Sequence, residues 1–227
     1  MEAPVREAID IIWRLSVVAE LVLTARLLFQ GLGGVYPALL TASWVFALRS
    51  SLLIMSVSHS SSMARVWKIT QPLDWLIWFW VALELVSKWT RSRPGMGGLG
   101  RFLFAALMLS ALLVSLICWP FEWRSLAFDH DLRTYYILNR VIWTVLALFT
   151  LSAWLFLRNQ GAVAPNVVSH THITVTYFAM NALSQLALNL NGPKVAALVN
   201  LSIVLVTAGC FSAWAVLLTR KGEGPAS

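Results

Sequence analysis

Charge is what this sequence has least of. Lys and Arg number 17 and Asp and Glu 10 among 227 residues, 12% in all. A soluble domain carries roughly 25% charged residues, so half of the usual polar coat is missing and something other than water must solvate the exterior. Cysteine is scarcer still. Cys118 and Cys210 fall near the end of the fourth apolar segment and inside the seventh, so neither a disulfide framework nor a thiolate metal cluster is expected. The four histidines, His59, His130, His170 and His172, sit at helix ends or in loops. His170 and His172 are two apart and point to different faces of a helix, and no HExxH occurs. That argues against a metal or bis-histidine haem site. FDHD (128–131) reads as a solvated loop. GxSxG, a Cys–His arrangement and a pair of acids on one intramembrane helix face are all missing, which removes the usual routes to nucleophilic catalysis. GMGGLG (95–100) lacks the GxxxxGK[ST] pattern and follows no strand, so it reads as a turn. No catalytic residue, cofactor or metal is expected, and the chain is read as a non-enzyme. The net charge of +7 fits cytoplasmic loop charge and anionic lipid better than nucleic acid.

What is present is oil. Hydrophobic residues make up 59% of the chain and the mean hydropathy is +0.73. Seven apolar segments lie near 11–30, 35–57, 70–89, 101–121, 134–157, 169–190 and 195–218, each close to the ~20 residues that cross about 30 Å of hydrocarbon as a helix. LFAALMLSALLVSLI (103–117) is apolar on every face, unlike the alternating strands of a barrel. In lipid a peptide group must be satisfied within its own segment, so these runs are helices. The expected fold is all-α: a polytopic membrane protein, a single seven-transmembrane-helix bundle over 1–219 with a short disordered cytoplasmic tail at 220–227. The acidic start MEAPVREAID has no basic n-region, so the first helix is expected to stay as an uncleaved anchor.

Orientation follows from basic residues. Lys88, Arg91, Arg93 and Arg101 crowd one loop, and Arg220 and Lys221 close the last helix on the same side of an odd-numbered bundle. The positive-inside rule makes that side cytoplasmic and the amino terminus external. Arg65, Lys68, Arg124 and Arg133 on the opposite side dilute the bias. Trp13, Trp67, Trp89, Trp119 and Trp123 fall at helix ends, suited to headgroup layers, and Pro37, Pro72 and Pro193 mark starts of helices two, three and seven.

Against this apolar background a few polar residues stand out. Glu20, Arg49 and Arg140 lie roughly 13, 12 and 9 Å inside helices one, two and five, counted at 1.5 Å per residue. An intramembrane arginine costs a few kcal/mol unless it finds a partner or water. Arg49 is expected to face inward and pair with Glu20, with Arg140 turned toward Asp74 or a polar cavity. Helix six carries His170, Thr174, Tyr177, Asn181 and Ser184 at steps of three or four, flanked by Gln185, a single stripe facing other helices. Asn200 and Thr207 on helix seven could answer it. The candidate site is an external-face cavity lined by Glu20, Arg49, Asn139, Arg140, Asn181 and Gln185, with Asp74 and Tyr177 beside it. Structural ion pairing and interhelical hydrogen bonding account for the same residues, and both readings stand open here.

Seven helices with an external amino terminus invite comparison with microbial rhodopsins, but VAALVNLSIVLVTAGCFSAWAVLL (195–218) has no lysine for a retinal Schiff base. ELVSKWTRSRPGMGGLGRFLF (84–104), LNRVIW (138–143) and PNVVSHTHITVTYF (165–178) give the chain another likeness. It resembles a group of uncharacterised seven-helix bacterial integral membrane proteins along most of its length. That resemblance implies a fold and a bacterial cytoplasmic membrane, with no activity attached. The expected role is a non-enzymatic sensory or regulatory module working with a signalling partner protein, with a small molecule as possible ligand and the lipid bilayer as solvent. The alternative is a small-solute transporter or channel with 3+1+3 helices, suggested by the proline starts and basic ends shared by helices three and seven.

Overall fold

The computed structural model of the chain describes residues 3–56, 60–91, 106, 108–110, 112–113, 115–117, 119–125, 130–158 and 163–223. All regular structure among them is helical: α1 (Ala3–Phe29), α2 (Pro37–Ser56), α3 (Ser60–Arg91), α4 (Trp119–Ser125), α5 (His130–Leu157), α6 (Pro165–Asn191) and α7 (Ala196–Leu217), with short 3-10 turns over Gly192–Val195 and Arg220–Glu223. Stretches of four, α2, α3, α5 and α7, are long and apolar enough to cross a membrane. α1 and α6 are as long but more polar, because each turns polar side chains inward. The expected fourth span is only partly visible: its described residues within 106–117 are helical, and α4 covers Trp119–Ser125. Cys118, His59, the GMGGLG turn, Arg93 and Arg101, and part of the FDHD loop fall outside the described residues.

The long helices form a ring. α1 packs on α2, α2 on α3, α3 on α5, α5 on α6 and α6 on α7, and α7 closes onto α1, while α6 also reaches across to α3. Their outer faces are apolar. Leu48, Leu52 and Met55 of α2, Leu73 and Leu76 of α3, Leu183 and Leu190 of α6, and Leu198 and Leu205 of α7 are all exposed, whereas Glu20, Ser43, Gln71, Asp74, Asn139, Thr150 and Asn181 are buried. A water-soluble bundle has the reverse arrangement. Lipid is the solvent that suits this one.

Local chemistry explains most boundaries. α1 ends where Gly31 takes φ +68°, and the Leu32 N–H donates back to the Leu27 carbonyl at 2.8 Å, a glycine-terminated closure. Pro37 and Pro165 open α2 and α6, where their missing N–H costs nothing. Gly192, at φ +64°, stops α6 and hands over to the 3-10 turn that contains Pro193. Two expectations are corrected. Pro72 lies inside α3, not at its start, because the helix begins twelve residues earlier at Ser60. The ring removes one N–H, and a membrane helix tolerates that where neighbouring groups answer the freed carbonyl. The tail expected to be disordered from 220 instead forms a turn over Arg220–Glu223 that is tied to the bundle; 224–227 lie outside the described residues.

At the centre sits Trp78 of α3, fully buried. Its ring lies within 6.3 Å, centroid to centroid, of Phe46, Trp143, Tyr177, Phe178, Phe211 and Trp214, drawn from α2, α5, α6 and α7. Aromatic pairs at such spacings gain about 0.5–1.5 kcal/mol each beyond simple burial. In lipid, where there is no water to escape, this dispersion and ring packing is what joins the helices. Trp78→Ala is expected to lower stability by about 3 kcal/mol, read as a depressed unfolding midpoint in nanodiscs, and Trp78→Phe by much less. A Trp78→Ala midpoint equal to wild type would refute the central role of this ring.

Candidate functional site

Arg49 projects from α2 onto α3 and spends one bond from each guanidinium nitrogen there. Nε donates to Thr70 Oγ1 at 3.0 Å, Nη2 to Gln71 Oε1 at 2.7 Å and Nη1 to Asp74 Oδ2 at 2.6 Å. Thr70, Gln71 and Asp74 share one face of α3, the first and last a helical turn apart, so a planar fork can meet all three. The side chains of Arg49 and Asp74 are 12% and 4% exposed, and the pair is almost dry. Phe46, one turn earlier on α2, places its ring 5.9 Å from the guanidinium carbon.

The network continues to α5. Gln71 Nε2 donates to Asp74 Oδ2 and to Asn139 Oδ1, both at 3.0 Å, and Trp75 Nε1 donates to the same Asn139 oxygen at 2.9 Å. These bonds fix the orientation of the Gln71 amide, since its oxygen faces a cation and its nitrogen faces two acceptors.

Beside the network lies a cavity of about 570 Å³. α1 contributes Trp13, Ser16 and Glu20; α2 contributes Phe46, Arg49 and Ser50; α3 contributes Trp67, Gln71 and Asp74. Tyr136, Asn139 and Trp143 come from α5, Tyr177, Asn181 and Gln185 from α6, and Asn200 and Thr207 from α7. All six long helices take part. The lining runs from mid-helix residues such as Tyr177 and Trp143 to Ile9, Ala196 and Leu53 near helix ends, so the cavity belongs to the end of the bundle where α1 begins. Its inner limit is the ring cluster around Trp78.

Glu20 is the anomaly in this lining. It is fully buried, and neither carboxylate oxygen has a hydrogen-bond partner among the described residues. Arg49, committed to α3, does not reach it. The Gln185 side-chain oxygen is similarly buried and unanswered, while Asn181 turns its nitrogen back to the Tyr177 carbonyl at 2.8 Å. The lining thus holds two carboxylates, Glu20 and Asp74, against one guanidinium, Arg49, a formal balance of −1.

The structure brings together Glu20, Arg49, Asn139, Asn181 and Gln185, with Asp74 and Tyr177, and leaves Arg140 out. Two expected pairings are corrected. Arg49 pairs with Asp74, not Glu20, because α2 and α3 are adjacent and Asp74 lies on the face that meets Arg49. Arg140 pairs with Glu122 of α4 and donates from Nη2 to the Ser115 carbonyl at 2.8 Å. Asn189 of α6 donates to Glu122 at 2.6 Å and to the Tyr136 carbonyl at 3.2 Å. This second cluster ties α4, α5 and α6 together away from the cavity lining. Sequence reading missed Glu122, Thr70 and Gln71. The available signals were a lone acid within WPFEW and the run TQPLD, whose polar positions repeat at helical spacing.

The opposite end of the bundle is tightly bonded. Tyr36, in the turn before α2, donates to Glu223 at 2.7 Å, and Asn166 Nδ2 donates to Glu223 and to the Thr219 carbonyl, each at 2.6 Å. Burial first, then the Glu223 carboxylate, raise the Tyr36 hydroxyl above its ordinary pKa, so it stays a donor. Glu84 accepts from the Ala38 N–H at 2.8 Å, which answers the first turn of α2 from a neighbouring helix. Lys88 lies 4.1 Å from the Tyr36 ring centroid. His170 is buried beside the Tyr36 and Trp214 rings, 5.4 and 5.8 Å away centroid to centroid. Among the described residues no three His, Cys, Asp or Glu side chains converge on a metal position.

No protein-family model, curated protein or solved structure matches the chain. Geometry and chemistry therefore carry the functional reading.

Removing one member of a buried ion pair strands the other. Arg49→Ala is expected to cost about 3–5 kcal/mol, and Arg49→Leu with Asp74→Leu to recover most of that loss, both read as unfolding midpoints in nanodiscs. Equal damage from the single and double variants would show that the pair itself contributes nothing.

Proposed function

We propose that this chain is a seven-span module of the bacterial cytoplasmic membrane that binds a small molecule in the α1-end cavity and passes its occupancy to a partner protein, without performing chemistry. Four apolar spans and an apolar exterior support the membrane setting; the resemblance in sequence supports seven spans and a bacterial membrane. The distribution of Lys and Arg supports an external amino terminus, which puts the cavity on the outer face.

The observation that carries the reading is a cavity of about 570 Å³ lined by all six long helices and holding an unanswered carboxylate. That volume lies within the range of small-molecule sites. A structural core has no reason to keep such a space beside a buried charge. Signalling, in preference to simple storage, is supported by a packed route between the two ends. Tyr177 on the cavity wall stacks near Trp78, Trp78 near Trp214, Trp214 near His170 and His170 near Tyr36, whose hydroxyl holds Glu223. Such adjacency makes coupling physically available; its strength is a matter for measurement.

Transport is the second reading, favoured by a cavity placed at one end of the bundle and blocked inward, as in one state of an alternating-access carrier. The protein taken from its native membrane into nanodiscs is expected to carry a small molecule visible by native mass spectrometry and lost in Asn181→Ala. Crosslinking in the same membrane is expected to capture a discrete protein partner. If neither is found, the reading falls. Flux of small solutes into proteoliposomes, abolished by Arg49→Ala or Asn181→Ala, would replace it with transport.

A further inference from the structure

The chemistry of the cavity wall narrows the ligand class. The starting point is the imbalance between Glu20 and everything around it. A carboxylate held away from water and without a hydrogen-bond donor is among the costliest groups a fold can bury. Glu20 is fully buried, both its oxygens lack partners among the described residues, and the side chain faces the cavity. Its near neighbours are the Ser50 hydroxyl, which carries no charge, and the Arg49 guanidinium, which is not bonded to it. Arg49 has given each nitrogen to Thr70, Gln71 or Asp74. Among the described residues no lysine or histidine lines the cavity. The missing element is one positive charge.

The rest of the wall says what kind of cation fits. Trp13, Phe46, Trp67, Tyr136, Trp143 and Tyr177 supply six aromatic rings. Two are already arranged as a slab: Trp67 stacks on Tyr136 with centroids 5.4 Å apart and planes at 29°. Trp143 meets Tyr177 edge to face at 5.5 Å. Rings present negative faces to a cation, and substituted ammonium groups, weakly hydrated and greasy, gain most from such walls. A bare metal ion is a poor candidate, because it needs about six oxygen ligands at 2.0–2.6 Å and a 570 Å³ space with one free carboxylate does not offer them. An anion would face a formal balance of −1.

We propose that the cavity binds an organic ammonium cation, with Glu20 as its counter-ion and the Trp67–Tyr136 and Trp143–Tyr177 rings as its walls. Gln185, whose side-chain oxygen is also unanswered and faces the same space, accepts a hydrogen bond where the ligand carries an N–H. The Arg49–Asp74 pair balances its own charge through Asp74 Oδ2 and acts as a fixed wall. This inference rests on the cavity being a solute site and adds the charge and class of the solute.

The test uses the full chain in nanodiscs and three radiolabelled probes of one shape: benzyltrimethylammonium, its uncharged carbon isostere neopentylbenzene, and the anion benzylsulfonate. Wild type is expected to bind benzyltrimethylammonium saturably, with the other two at least tenfold weaker as competitors. Glu20→Gln keeps the shape and removes the charge, and is expected to lose at least tenfold in cation affinity; Glu20→Asp is expected to lose less. Glu84→Gln, which removes a carboxylate at the far end, leaves binding unchanged and controls for net charge. Unaltered gel-filtration profiles and helical circular dichroism show that each variant is folded. Equal binding by wild type and Glu20→Gln, or equal competition by the neutral isostere, overturns the cation assignment while the solute pocket stands. If no probe binds, the assignment also falls. The copurified molecule sought by native mass spectrometry then decides separately whether the pocket itself survives.

Discussion

Lipid offers a guanidinium nothing, and the structure around Arg49 is organised by that fact. The group is met by Thr70, Gln71 and Asp74 on a single face of α3. That meeting fixes how α2 and α3 are rotated and how far each has slid along the other. Gln71 then hands the constraint to Asn139 and so to α5. A helix turned by one residue would point Leu73 or Pro72 at the guanidinium and leave the charge bare. Apolar packing in a bilayer is forgiving of small rotations, since one leucine replaces another against lipid tails. Polar contacts are not forgiving, and here they supply the register.

The two ends of the bundle are built on different principles. At the end holding Tyr36, Asn166 and Glu223, polar groups answer one another at 2.6–2.7 Å. At the other end, six helices lean on a cavity whose polar wall is only half satisfied. Between them the rings packed on Trp78 fill the middle of the bundle. A bundle stabilised at one end and in the middle can leave its other end underpacked and still fold. Such regional differences in stability are where proteins place the parts that receive ligands.

Much of this plan can be read from residue order. Six of the seven apolar segments correspond to long helices, and the inward stripe Tyr177, Asn181 and Ser184 emerges at helical spacing because lipid has no use for those side chains. Depth was legible too: Glu20, Arg49, Asn139, Asn181 and Gln185 do share one cavity wall. What one dimension could not carry is rotation about a helix axis. Arg49 lies at a depth where both Glu20 and Asp74 were available, and only the facing of α2 toward α3 decides between them. Pro72 misled for a related reason. A proline reads as a boundary, yet a helix in lipid runs through it when the polar stretch SSSMARVWKI continues the same turn beyond the apolar segment. Glu122 was invisible because it sits past the predicted end of an apolar run, where an acid reads as a headgroup contact.

The corrected pairings matter most for what they leave over. Leaving aside Glu84, which answers the Ala38 N–H at the far end, three buried acids, Glu20, Asp74 and Glu122, face two arginines, Arg49 and Arg140. Had Arg49 met Glu20 and Arg140 met Asp74, the unmatched acid would have been Glu122, held by Asn189 near a helix end with nothing to bind. Adjacency of α2 to α3 and of α4 to α5 instead completes Arg49–Asp74 and Arg140–Glu122 as two self-contained pairs. The remaining acid is then the one on the wall of the α1-end cavity. Each pair fixes a set of helices, and together they exclude both arginines from serving Glu20. The same contacts that give the bundle its register therefore leave the charge of Glu20 unmatched at the cavity end. Structure and candidate function are two consequences of one choice of partners.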